Sequence, residues 1–123
     1  MIYVDTNVVM YAVGRPHPLR EEARERLIRS PLGSLATSAE VLQELMHAYL
    51  PVGRTEDLDN AFKLVNDRMV VWPVTAEDVR HARDMAVTTP SLSARDLLHL
   101  AMAARHNTDE LWTYDRALKA AAG

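Results

Sequence analysis

With 123 residues, 48% of them apolar and 25% charged, the chain has the size and balance of one soluble domain, 1–123. No apolar run reaches the roughly 18 residues of a membrane span, no secretory leader is evident, and the lack of cysteine excludes disulfides and thiolate zinc sites and favours a reducing cytoplasm. A net charge of −3 argues against holding nucleic acid by bulk positive charge but does not exclude nucleic acid, because a few acids gathered in one metal site would pull the total down.

MIYV, residues 1–4, predicts a short buried strand, and VVMYAV a short helix after it. GRPHP, 14–18, is a breaker-rich loop. LREEARERLIRS then has helix formers with Leu19, Ala23, Leu27 and Ile28 near helical spacing, and SPLGS ends it. LAT predicts a short strand, and Ser38 caps SAEVLQELMHAYL, whose apolar face is Val41, Leu42, Leu45, Met46 and Tyr49. PVGRT breaks the pattern before another helix, TEDLDNAFKLVNDR. MVVWPV, rich in β-branched residues, is the clearest strand.

Thr75 opens the helix TAEDVRHARDMAV, with acids in its first turn where the helix dipole favours them. After the loop TTPSLS, Ser93 begins SARDLLHLAMAARHN; ELWTYD is a last strand and RALKAAA a last helix. Alternating strands and helices predict an α/β fold in which a parallel sheet is flanked by helices. Ligands of such sheets bind at the carboxyl ends of strands.

Asp5 ends the first predicted strand and Asp115 the last, while Glu44 and Asp96 lie on helices that start from the same sheet edge. Each has an ordinary structural explanation. Asp5 and Asp115 suit helix caps, Asp96 fits a capping-box variant with Ser93, and Glu44 fits a solvated helix position. Glu40, one turn before Glu44, is its rival. Four acids at one edge repel one another and call for a compensating charge, which a hard divalent cation with oxygen ligands supplies. Without cysteine, HExxH or paired histidines, zinc is disfavoured. Magnesium or manganese in an acidic pocket suits phosphodiester chemistry.

MIYVDTNVVMYA, SAEVLQELMHAY, SARDLLHLAMA and WTYDRAL, in this order, resemble the PIN-domain ribonucleases, in particular the VapC-type toxins of toxin–antitoxin pairs. The resemblance implies a three-layer fold with a short central parallel sheet. It also implies a cytoplasmic Mg²⁺- or Mn²⁺-dependent endoribonuclease that hydrolyses RNA with a metal-activated water. The family's acids fall on Asp5, Glu44, Asp96 and Asp115, the first three as metal ligands, with Asn7 and Thr113 supporting them. A homodimer and a cognate VapB-type antitoxin are implied as partners. The family usually continues past the last helix into a short edge strand, whereas this chain stops at AAAG, which leaves that strand absent or truncated.

Arg95 and Arg116 adjoin two of the acids and suit either phosphate contact or surface ion pairs. His99, three residues after Asp96, reads first as a hydrogen-bonded packing residue, Trp72 and Trp112 as core, and the arginines of 19–30 as a solvated face. A haloacid-dehalogenase-like phosphatase would want an acid where Asn7 stands, and a receiver domain an acid pair after the first strand. The remaining alternative is a PIN scaffold without catalysis that only binds partners, against which the four acids speak.

Overall fold

The structure, a computed structural model, describes residues 1–123. Its four strands, β1 (Ile2–Val4), β2 (Leu35–Ser38), β3 (Val70–Trp72) and β4 (Glu110–Trp112), form one all-parallel sheet in the order β3-β2-β1-β4. Seven helices connect and cover them: α1 (Thr6–Val13), α2 (Pro18–Arg29), α3 (Ala39–Tyr49), α4 (Thr55–Arg68), α5 (Ala76–Met85), α6 (Ala94–Arg105) and α7 (Arg116–Ala122). A single 3₁₀ turn, Leu50–Val52, separates α3 from α4. None of the helices is long and apolar enough to cross a membrane.

Side chains alternate across the sheet, so the two faces carry two cores. Val4, Leu35 and Trp112 pack with Val8, Val9, Leu27, Val41, Leu45 and Val65 beneath α1–α4. Tyr3 and Leu111 pack on the other face with Leu97, Met102 and Leu118. The chain steps outward from β1 to β2 to β3, then returns past β1 to lay down β4 on the opposite side. Strand order therefore reverses between β1 and β4. In open α/β sheets such a switch point leaves a crevice at the carboxyl ends.

The helix over VVMYAV begins two residues earlier, at Thr6, because Asp5 takes the cap. Gly14 ends it where a Cβ would lie 2.7 Å from the Met10 carbonyl oxygen, a space only glycine fits. MVVWPV is the edge strand and shrinks to Val70–Trp72, with Val70 43% exposed; its apolar run reflects an edge rather than the sheet's middle. Trp72 is half-buried and stacks on His106 at 3.7 Å.

The arginines of α2 are partly committed. Arg24 donates to the Ala12 carbonyl at 2.6 Å. Arg26 forks onto Glu110 at 2.7 and 3.0 Å and lies 4.3 Å over the Trp112 ring.

Between α5 and α6, Asp78 closes the reciprocal capping box with Thr75 and accepts two hydrogen bonds from Arg105, at 2.5 and 3.1 Å. Burial alone would raise the Asp78 carboxyl, but Arg105 and Thr75 outweigh it and hold it below its ordinary value. Asp78→Ala is expected to cost about 2 kcal/mol, the sum of a lost cap and a lost charged hydrogen bond. Because the folded pKa is depressed, the contribution is complete above the unfolded value near 3.9 and is lost as pH falls through the folded one. Urea melts at pH 7 and pH 3 check this: the gap between wild type and variant should narrow at pH 3.

Candidate active site

Asp5 leaves the end of β1 with its backbone still paired, its N–H donating to the Trp112 carbonyl at 3.0 Å. Its side chain does two things at once. Oδ1 accepts from Thr6 N–H at 2.7 Å, capping α1, and Oδ2 accepts from the Thr113 hydroxyl at 2.7 Å. Cap and site residue are thus the same carboxylate.

Thr113, next after β4, is a junction. Its oxygen also accepts from Asn7 Nδ2 at 3.1 Å and from Asp115 N–H at 3.0 Å. Asn7 in turn accepts Tyr114 N–H at 3.2 Å through Oδ1, which fixes its amide. The segments after β1 and β4 are therefore stitched together, and Asp5 is held from both.

Asp115 caps α7 through Leu118 N–H at 3.0 Å. Asp96 sits in the first turn of α6, its N–H capped by Ser93 Oγ at 3.2 Å. Burial, then the charges of Asp115 and Asp5, raises the Asp96 carboxyl above its ordinary value.

Glu44 projects from α3 and is 9% exposed. It accepts from the Thr6 hydroxyl and from His99 Nε2, the latter at 3.0 and 3.1 Å to its two oxygens. Burial opposes its charge, but His99 and Thr6 outweigh it and hold its carboxyl below the ordinary range.

All four acids, with Asn7 and Ser93, line one cleft of about 330 Å³ at the carboxyl ends of the strands. Arg95 reaches its rim and is exposed; Arg116 is exposed too but does not line the cleft. Glu40 does not line this cleft but a neighbouring groove beside α5 and α6; burial first, then the charge of Glu44, raises its carboxyl above the ordinary value.

His99 is the residue whose role the sequence understated. It is 1% exposed, and its Nδ1 bonds the Tyr3 hydroxyl at 2.7 Å while Nε2 meets Glu44 and lies 3.5 Å from Asp5 Oδ1. Tyr3 also bonds Ser38 Oγ at 2.7 Å, which is why Ser38 starts α3 without a side-chain cap bond. Burial would depress His99, but its bond to Glu44 and the charges of Asp5, Glu44 and Asp96 raise it above the ordinary value. The available signal was the spacing Asp96-Leu97-Leu98-His99, one helical turn, which sets His99 beneath an acid.

Ligand atoms of Asp5, Glu44 and His99 lie within 4.8 Å of one another. Carboxylate oxygens dominate this trio, to which Asp96 does not belong; burial first raises the Asp96 carboxyl, and the charges of Asp115 and Asp5 that add to it are what a cation relieves. The donor set fits a hard divalent ion.

An all-parallel sheet with an acidic crevice at its switch point defines a class of α/β proteins that assemble carboxylates on strand ends and helix starts. The chain belongs to the PIN domain family, whose profile matches residues 2–123. It is 53% identical over 123 residues, 98% of each chain, to Ribonuclease VapC23 of Mycobacterium tuberculosis strain H37Rv. Its fold matches the crystal structure of M. tuberculosis VapC20, described as a Sarcin-Ricin loop cleaving toxin, at a TM-score of 0.82 and 20% identity over 98% of this chain and 95% of that one. A toxin–antitoxin complex from Klebsiella pneumoniae matches at 0.64 and 18%, over 89% and 83%.

Proposed function

We propose that this chain is a divalent-metal-dependent endoribonuclease acting in the cytoplasm as the toxin of a toxin–antitoxin pair. The observation that carries this is the cleft itself: Asp5, Glu44, Asp96 and Asp115, distant in sequence, share it in a chain 53% identical to a VapC ribonuclease.

Asp5, Glu44 and Asp96 would hold Mg²⁺ or Mn²⁺, with Asp115 completing the cluster. Such an ion, when bound, supplies positive charge to phosphoryl oxygens and makes water a better nucleophile at neutral pH. The chain's own residues do the positioning. Thr113 and Thr6 N–H fix the two oxygens of Asp5, Asn7 fixes Thr113, and His99 with Thr6 fixes Glu44. Carboxylates held this way need not reorganise as charge develops on the substrate. Arg95, which lines the cleft, would contact a phosphate.

Products with 5′-phosphate and 3′-hydroxyl ends, a homodimer and a cognate VapB-type antitoxin complete the reading, the antitoxin supported by the toxin–antitoxin assembly among the fold's relatives. The test is incubation of antitoxin-free protein with transfer and ribosomal RNA in Mn²⁺, Mg²⁺ or EDTA. Discrete cuts that vanish with EDTA are expected. Folded protein that cuts nothing and binds no metal would leave the non-catalytic scaffold instead.

A further inference from the structure

Beside the acidic cleft lies a second hollow, of about 530 Å³, that shares Asn7 and Met10 with it and so opens onto it. Its chemistry is the reverse. The cleft presents four carboxylates; the hollow is lined by Arg15, Arg54, His17 and Tyr11 and by no acid. This volume accommodates one small-molecule-sized group, within the roughly 300–1,000 Å³ usual for ligand pockets.

The groups lining it are set in place and still have free hydrogen-bonding capacity. Arg15 is exposed and makes no ion pair. Its loop is stiffened by Pro16 and Pro18 on either side of His17. Arg54 is anchored through Nε to Asp57 at 2.6 Å, with its guanidinium 5.5 Å over the Tyr49 ring, which leaves Nη1 without a protein partner. His17 accepts Leu19 N–H at Nδ1, so its neutral ring carries the proton on Nε2 as an outward donor. Tyr11 is half-buried, its ring braced edge-on by Tyr114 at 5.5 Å and lying 4.8 Å from the His17 ring.

A polyanion whose phosphate sits among carboxylates needs positive charge close by for the next phosphate, and on a chain of net charge −3 that charge must be local. We infer that this hollow is the subsite for the nucleotide next to the cleaved phosphodiester: Arg15 and Arg54 take its phosphate, and its base lies against the Tyr11–His17 ring pair. Aromatic platforms beside a cationic groove are how single strands are held with little sequence preference. The inference rests on the ribonuclease reading.

The test is arranged to fail separately from that reading. Fluorescein-labelled single-stranded RNA is titrated with antitoxin-free protein in EDTA, where binding is read without cleavage, and cleavage is then measured in Mn²⁺. Arg15→Glu, at an exposed loop position, should weaken binding about tenfold and flatten the salt dependence by about one unit of log–log slope. In Mn²⁺ its loss should fall on KM more than on kcat. Tyr11→Phe should bind as wild type, and Tyr11→Leu several-fold or more weakly.

Wild-type binding and KM in Arg15→Glu would overturn the subsite and leave the nuclease standing. RNA binding intact with capture of the cotranslated antitoxin abolished would also overturn it and assign the hollow to the protein partner. Wild-type protein that neither binds nor cuts RNA would overturn both readings.

Discussion

Asp5→Asn is expected to lower RNA cleavage by at least about a hundredfold, the scale on which a preorganised electrostatic group acts. The amide keeps the cap, because its oxygen still accepts Thr6 N–H, and it keeps the volume. What it removes is the central negative charge. Asp5 touches both halves of the site: it is bonded by Thr113, just after β4, and lies 3.5 Å from the histidine that bonds Glu44. Two further measurements separate this from unfolding. The melting temperature should change little, since the cap and the core around Val4 and Val8 persist. The Asp96 carboxyl, raised in part by Asp5, should titrate lower in the variant by carbon-detected NMR. A folded Asp5→Asn protein with wild-type cleavage would remove Asp5 from the chemistry.

The largest stability effect should come from His99→Leu. The substitution keeps a side chain of similar size but strips one of two partners from Glu44, which retains Thr6, and one of two from the Tyr3 hydroxyl, which retains Ser38, all of them buried. Removing one member of a buried charge-assisted pair costs about 3 kcal/mol, because the carboxylate that remains is desolvated with no charged partner, only the Thr6 hydroxyl. For a chain of this size that is a fall in Tm of roughly 10 °C, measured in EDTA. His99→Gln, whose amide N–H can still reach a carboxylate, should recover part of the loss. Equal destabilisation by Leu and Gln would mean that ring packing against Tyr3, not the bond to Glu44, is what His99 contributes.

Much of the local architecture was written in short windows of sequence. Helix and strand periodicities located all four strands and seven helices, because each is decided by which residues recur at 3.6 or 2 within a dozen positions. Capping was legible for the same reason: Thr75, Ser93 and Asp115 each bond an N–H within three residues. Ser38 was the exception, since a tyrosine 35 positions away claims its hydroxyl. The edge position of β3 was hidden too, because an apolar run reads alike at an edge and in the middle of a sheet.

By itself, then, the sequence determined the elements, most of their caps and the acids on them. Only the tertiary structure decided which of those acids meet. The strand order β3-β2-β1-β4 sets β4 against β1, so Thr113 reaches Asp5 across 108 positions, and it turns Glu44 rather than Glu40 into the cleft. Likewise it drew His99 beneath two carboxylates and set a cationic hollow beside them. The physical reason is range. Backbone periodicity and capping are settled by neighbours in the chain, whereas the meeting of charges depends on sheet order and on which face each helix buries.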